Sequence, residues 1–172
     1  MIKKFLILLF CQMIFTSFCY ANVFEKPQNI EYIAKQIPKM GDINCKFKQE
    51  KYLPSSNIKL NSSGNFSFKK DVGITFYTTY PVKTTTTYSS SEYKQINSII
   101  SAITNKSYGK LKKEFNFFFE GISGNWNFGL KPKNNSSIKK YLSSIEIQGS
   151  NYISKMVITT SDKVVTTIWF SK

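Results

Sequence analysis

Apolar and polar residues alternate along this chain with two distinct periods. Ile30, Ile33, Ala34 and Ile37 carry the i, i+3, i+4, i+7 spacing of a short helix with one apolar stripe. Pro38 and Gly41 end it. From Asp42 the period shortens to two. Ile43, Cys45 and Phe47 share one face and Asn44, Lys46 and Lys48 the other, which predicts a half-buried strand.

The cluster Pro54-Ser55-Ser56-Asn57 then turns the chain. A second strand follows through Ile58, Leu60, Gly64, Phe66 and Phe68, and Lys69 to Gly73 forms the next connection, with Asp71 as a turn former. Ile74, Phe76 and Tyr77 open a third strand that stops at Pro81, and the β-branched run Val82 to Tyr88 has a strand bias.

Here the pattern reverts to the helical one. Ser89 and Glu92 have the spacing of a capping box, and Ile96, Ile99, Ile100 and Ile103 repeat the helical stripe. Strands then return: Phe115, Phe117 and Phe119 alternate, Gly121 to Gly124 turns, and Trp126, Phe128 and Leu130 alternate before Pro132. A polar loop at 133–137 leads to one helical turn at Ile138 to Leu142. The last three strands are centred on Ile145 and Ile147, on Met156 and Ile158, and on Val164 to Phe170.

A run of hairpin-linked strands with one helix before it and one inserted implies an antiparallel sheet with helices on one face, an α+β architecture. Phe and Tyr total 25, and many fall opposite the lysines. A curled sheet of that content has a wide apolar concave side that two short helices only partly fill. The plain alternative is an ordinary packed core.

The first 21 residues read differently. Lys3 and Lys4 precede an apolar run from Phe5 to Phe15, and Cys19-Tyr20-Ala21 ends in small residues suited to a signal peptidase. A membrane anchor is the competing reading, but Gln12 and Thr16 interrupt the run, which falls short of the roughly 20 residues a span requires. Cys11 and Cys19 each follow a phenylalanine, which disfavours lipidation. The expectation is a cleaved secretory signal over 1–21 and a single domain over 22–172.

Charge and cysteine content narrow the function. Without Lys3 and Lys4 the chain keeps 22 lysines against 10 acids, a net +12, and every basic residue is lysine. Forked recognition of phosphate or guanine is the province of arginine, and the lysines are scattered, so nucleic acid is not an expected partner. Transient contact with an anionic membrane surface is compatible with the charge. Past the signal only Cys45 remains, so packing alone holds the fold.

There is no histidine. That count excludes His-dependent hydrolases and zinc sites of the His/Cys kind. The acids are dispersed and predict no facing carboxylate pair, and the glycines match no phosphate loop. The expectation is a protein that is not an enzyme and uses no cofactor and no metal.

Gly64, Phe66, Phe68, Lys69, Lys70, Phe76 and Pro81 together resemble the core signature of the periplasmic lipoprotein carriers of the LolA family. Phe47-Lys48-Gln49-Glu50-Lys51 is similar to the family's Phe-x-Gln-x-Lys strand, and Gly124 to Pro132 to its Gly-x-Trp-x-Leu-x-Pro element. The closing strands around Ser161 to Ser171 resemble its last hairpin. The likeness runs in order along nearly the whole mature chain.

This resemblance implies an unclosed antiparallel β-barrel with two to three helices as a lid over an apolar cavity. It implies a monomeric periplasmic carrier in a Gram-negative bacterium that shields acyl chains of lipoproteins or a related lipid on the way to the outer membrane. Its partners would be that acylated cargo, an inner-membrane donor and an outer-membrane acceptor. The lining would be Phe47, Phe66, Phe68, Phe76, Phe117, Trp126 and Phe128. The lid would be Ile30, Ile33, Ile37, Ile96, Ile99, Ile100 and Ile103.

Lys70 stands where the family has an arginine that bonds to the lid in the closed form. A lysine there supplies one hydrogen bond and not a forked pair. The family's Asp-Gly-Lys hairpin is replaced by Ser89 to Lys94, with Tyr93 as the nearest counterpart. The alternative reading is a secreted, non-enzymatic β-rich interaction module with a fully packed core.

Overall fold

In the computed structural model, residues 22–70, 72–87 and 94–172 are described. The expected signal at 1–21, the turn residue Asp71, the Ser89 and Glu92 capping box and Tyr93 lie outside them. Nine strands and three α-helices are formed among the described residues. The strands are β1 (Ile43–Leu53), β2 (Ile58–Lys69), β3 (Gly73–Tyr80), β4 (Thr84–Thr87), β5 (Phe115–Ile122), β6 (Asn125–Pro132), β7 (Leu142–Gly149), β8 (Ile153–Thr160) and β9 (Val165–Ser171). The helices are α1 (Ile30–Gln36), α2 (Lys94–Thr104) and α3 (Gly109–Glu114).

All nine strands join one antiparallel sheet in the order β4-β3-β2-β1-β9-β8-β7-β6-β5. Chain order and spatial order differ at one place only: β1 pairs with β9, which brings the two arms of meander together in mid-sheet. The two edge strands, β4 and β5, do not pair with each other, so the sheet is unclosed. The chain between them, which contains α2 and α3, crosses from one edge to the other.

One face of the sheet holds the core. Phe47 on β1, Phe66 and Phe68 on β2, Phe76 on β3, Phe128 on β6 and Phe170 on β9 are all buried in a single cluster. Phe47 and Phe76 touch although β2 lies between their strands, and Phe66 reaches Phe170 across β1, with ring centroids 4.8 Å apart. Strands two steps apart are separated by roughly 9.5 Å. The rings therefore lean toward one another, as they do on the inner face of a curved sheet.

The helices lie over that face for the reason their sequences give. Asn29 caps α1 by accepting the Tyr32 N–H at 2.8 Å, a stabilising arrangement at a helix start. Ile30, Ile33 and Ile37 then point into the cluster. The side of α2 formed by Ile96, Ile99, Ile100 and Ile103 is buried in the same cluster.

The helix α3 was not expected from the pattern. Its sequence, Gly-Lys-Leu-Lys-Lys-Glu, has Leu111 as its one buried residue, too little for a periodic signal.

Candidate functional site

The structure brings nearly all the predicted lining and lid residues together. Phe47, Phe66, Phe68, Phe76, Trp126 and Phe128 share the buried cluster with Ile30, Ile33, Ile37, Ile96, Ile99, Ile100 and Ile103. Phe117 sits at the margin, half-buried, with its ring stacked 6.1 Å from that of Phe128. The alternation placed these strands on the correct face with no slip in β1 or β6.

How they meet differs from the expectation of partial filling. The isoleucines of α1 and α2 rest on the aromatic face, and Ile33, Ile99, Ile103 and Phe128 have no exposed surface. Two short helices cover this part of the sheet well because four isoleucines of equal size, with the small Ala102, form the inward side of α2. Tight packing of that kind leaves few voids.

Lys70 directly follows β2. It is exposed at the β2–β3 turn, where its backbone N–H donates to Asp42 Oδ1 at 3.3 Å. Among the described residues its ammonium has no hydrogen-bond or ion-pair partner. Other residues tie the helices down. Asn97 Oδ1 on α2 accepts the Ile74 N–H at 3.1 Å, and Lys106 Nζ donates to the Ala34 carbonyl of α1 at 3.1 Å. Lys112 on α3 pairs with Glu31 on α1, and this contact holds the exposed Glu31 carboxyl below its ordinary range.

The concave face does not stop where α2 stops. Directly paired residues of an antiparallel sheet share a face, so Gln49, Lys51 and Leu53 continue the side of Phe47. Their partners Ser62, Leu60 and Ile58 on β2 do the same, as do Thr166 and Ile168 on β9 and Ile158 on β8.

Beyond the lid this part of the face opens into a pocket of about 350 Å³. Gln49, Lys51, Leu53, Ile158, Thr160, Asp162, Val164 and Thr166 line it, with Ile96 of α2 at its inner margin. Leu60 and Ile58 stand beside it with 51% and 47% of their surface exposed.

The rim of the pocket is polar. Thr160 donates its hydroxyl to Asp162, and that bond, aided by the charge of Lys51, keeps the exposed Asp162 carboxyl ionised below its usual range. Outside the pocket, Tyr108, in the connection between α2 and α3, is buried, and its hydroxyl has no hydrogen-bond partner among the described residues. Burial pushes its pKa up to about 12.

Sequence reasoning missed Leu53, Ile158 and Val164 as parts of one surface, and Phe170 as a neighbour of Phe66. The period-two alternation in β9 already places Ile168 and Phe170 together. Which strands lie side by side is set by the β1–β9 pairing, and no local pattern encodes that.

Among the described residues no helix is long and apolar enough to cross a membrane, and no cluster of His, Cys, Asp or Glu is suited to a metal ion. No protein-family model matches the chain, and no curated protein matches it. Fold and site together define an unclosed antiparallel sheet whose concave apolar face is partly covered by helices.

Proposed function

We propose that the protein is a LolA-like periplasmic carrier. It sequesters acyl chains of a lipoprotein or a related lipid against the concave face and ferries them toward the outer membrane. What supports this reading above all is continuity: the buried floor under α2 runs by way of Met156 and Ile168 into the open pocket at Leu53, Ile158 and Val164. An acyl chain laid in that pocket meets Leu53, Ile96, Ile158 and Val164, and the polar Gln49, Lys51, Thr160, Asp162 and Thr166 around them face its headgroup.

Because the isoleucines of α2 occupy the face beneath them, full loading requires α2 to lift. The exchange is close to balanced. Each acyl methylene buried gains roughly 0.8 kcal/mol, while the displaced isoleucines lose contacts of the same kind. A small net gain suits cargo that has to be released again.

In this reading the protein performs no catalysis and needs no cofactor. Its donor and acceptor are membrane complexes, and its working form is a monomer.

The experiment is native mass spectrometry of the purified protein together with displacement of a fluorescent fatty acid. The expected result is bound acyl ligand, weakened in Ile99→Glu with the β-sheet signal retained. Absence of binding at every accessible concentration sinks the proposal. One observation favours a second reading, a secreted interaction module with a packed core: the close seating of α1 and α2 on the sheet. Failure of acyl binding would leave that reading standing.

A further inference from the structure

Trp169 on β9 is paired across the sheet with Lys48 on β1 and with Lys155 on β8. The row continues from Lys48 to Ser63 and on to Tyr80, and Lys46 and Tyr77 lie close by on the same convex face, joined through Asn65. The rings are exposed, Trp169 at 42%, Tyr77 at 47% and Tyr80 at 59%. A core does not explain them, since all three point away from it.

The lysines of this row are also the ones left free. Lys59, on the same face, pairs with Glu50 at 3.2 Å, and Lys131 lies over the rings of Phe24 and Phe118. Lys46, Lys48 and Lys155 have no hydrogen-bond or ion-pair partner among the described residues. Cationic ends and aromatic tips thus share one patch, with a shallow groove between Trp169 and Tyr80 over Lys48 and Ser63.

The spacing separates candidate occupants. Trp169 and Tyr80 stand on strands three steps apart, about 14 Å, too wide to close around a single small ring and suited to a broad flat surface. Tryptophan and tyrosine favour the headgroup level of a bilayer, and lysine ammoniums favour the phosphates of anionic lipids. From this we infer that the convex face over β8, β9, β1, β2 and β3 docks the protein on an anionic phospholipid surface. The inference stands independently of the carrier reading, and docking this way leaves the pocket on the opposite face open.

The two tryptophans make the test direct. Trp126 is buried and Trp169 exposed, so a change in tryptophan emission on adding vesicles reports Trp169. With vesicles of phosphatidylglycerol and phosphatidylethanolamine the emission is expected to shift to the blue, and with phosphatidylcholine alone it is expected to stay. Trp169→Phe should abolish the shift. Combined Lys46→Glu, Lys48→Glu and Lys155→Glu should lower vesicle partitioning by about 100-fold or more, with far-UV circular dichroism confirming the fold.

No shift with the anionic vesicles overturns the inference, as does unchanged partitioning of the triple variant. An equal shift with a soluble acidic polysaccharide also overturns it, by assigning the face to a soluble polyanion.

Discussion

Phe47 and Phe76 meet edge to face with their ring centroids 5.0 Å apart, across the full width of β2. What lies opposite Phe47 on β2 is Gly64. With no side chain there, the Phe47 ring leans over the intervening strand, and the β2–β3 register shifts at the same place, between Ser63 and Gly64. A bulge of this kind increases local twist. The glycine thus links the aromatic contact to the curl of the sheet.

Gly64→Ala tests that link. A Cβ at this position would lie 2.0 Å from the Tyr77 carbonyl oxygen and 2.9 Å from the Thr78 Cα, and both obstacles are backbone. Overpacking in a well-packed core costs about 1–3 kcal/mol, and with no flexible side chain to give way the upper end is expected. Urea denaturation should show the loss. A variant as stable as the parent would mean that β3 can shift away without penalty.

Asn97→Ala probes what holds α2 to the sheet. The Asn97 side chain is the acceptor for the Ile74 N–H, a donor on the buried start of β3. Leaving a buried donor unsatisfied costs about 1–3 kcal/mol. We expect a loss of stability of that size and faster amide exchange at Ile74, read by NMR, with strands far from α2 unaffected. In a carrier, the same variant should take up a fluorescent fatty acid faster. Unchanged exchange at Ile74 would show that the isoleucine stripe alone seats the helix.

Cys45 gives a prediction in pH. Burial pushes the Cys45 thiol from its ordinary 9.0 up to about 11. The native state therefore holds the thiol proton more tightly than the unfolded chain. The resulting stability is fully present below about pH 9 and is lost as pH rises to about 11. Tyr108, raised from 10.0 to about 12, extends the decline in the same direction.

At neutral pH the native thiolate fraction should be about 100-fold below that of a free cysteine, with alkylation by iodoacetamide slowed to match. Cys45→Ala should flatten the part of the stability curve between pH 9 and 11. Rapid alkylation at neutral pH in the folded protein would contradict the assignment.

Much of this architecture is legible in the sequence because the patterning is local and strong. The alternation of Phe66, Phe68 and Phe76 set the buried face, and the four isoleucines of α2 set the helix. The alternation even carries Ile58 and Leu60 through Gly64 onto the same face as Phe66. It carries no information that α2 ends before covering them, because helix length relative to sheet width is a tertiary quantity. Close seating of the lid is likewise a matter of shape, since apolar periodicity is the same for a packed face and for one beneath a cavity.

The convex row was hidden for a similar reason. Lys48, Trp169 and Lys155 lie far apart in sequence and become neighbours only through the pairing of β1 and β8 with β9. Phe118 and Phe24 were missed because their contact lies on the outer face, at a centroid distance of 5.5 Å, where a strand pattern predicts polar residues.

That outer contact also bears on solubility. An unclosed sheet has two edges, and an unpaired edge recruits other strands. At one end β4 is four threonines long. At the other, the segment before α1 runs along β5: Gln28 N–H donates to the Phe117 carbonyl at 3.0 Å, and Phe119 N–H to the Lys26 carbonyl at 3.1 Å. Val23 is buried beside Phe24 over Gly129, where a Cβ would come within 2.8 Å of the Phe24 ring. Val23→Glu puts a charge in that seat and should detach the segment, at a cost of about 2–4 kcal/mol. With β5 uncovered, sedimentation velocity should show concentration-dependent self-association that the parent lacks. A variant that stays monomeric at the same concentrations would mean that the curvature of β5, and not its cover, prevents pairing between molecules.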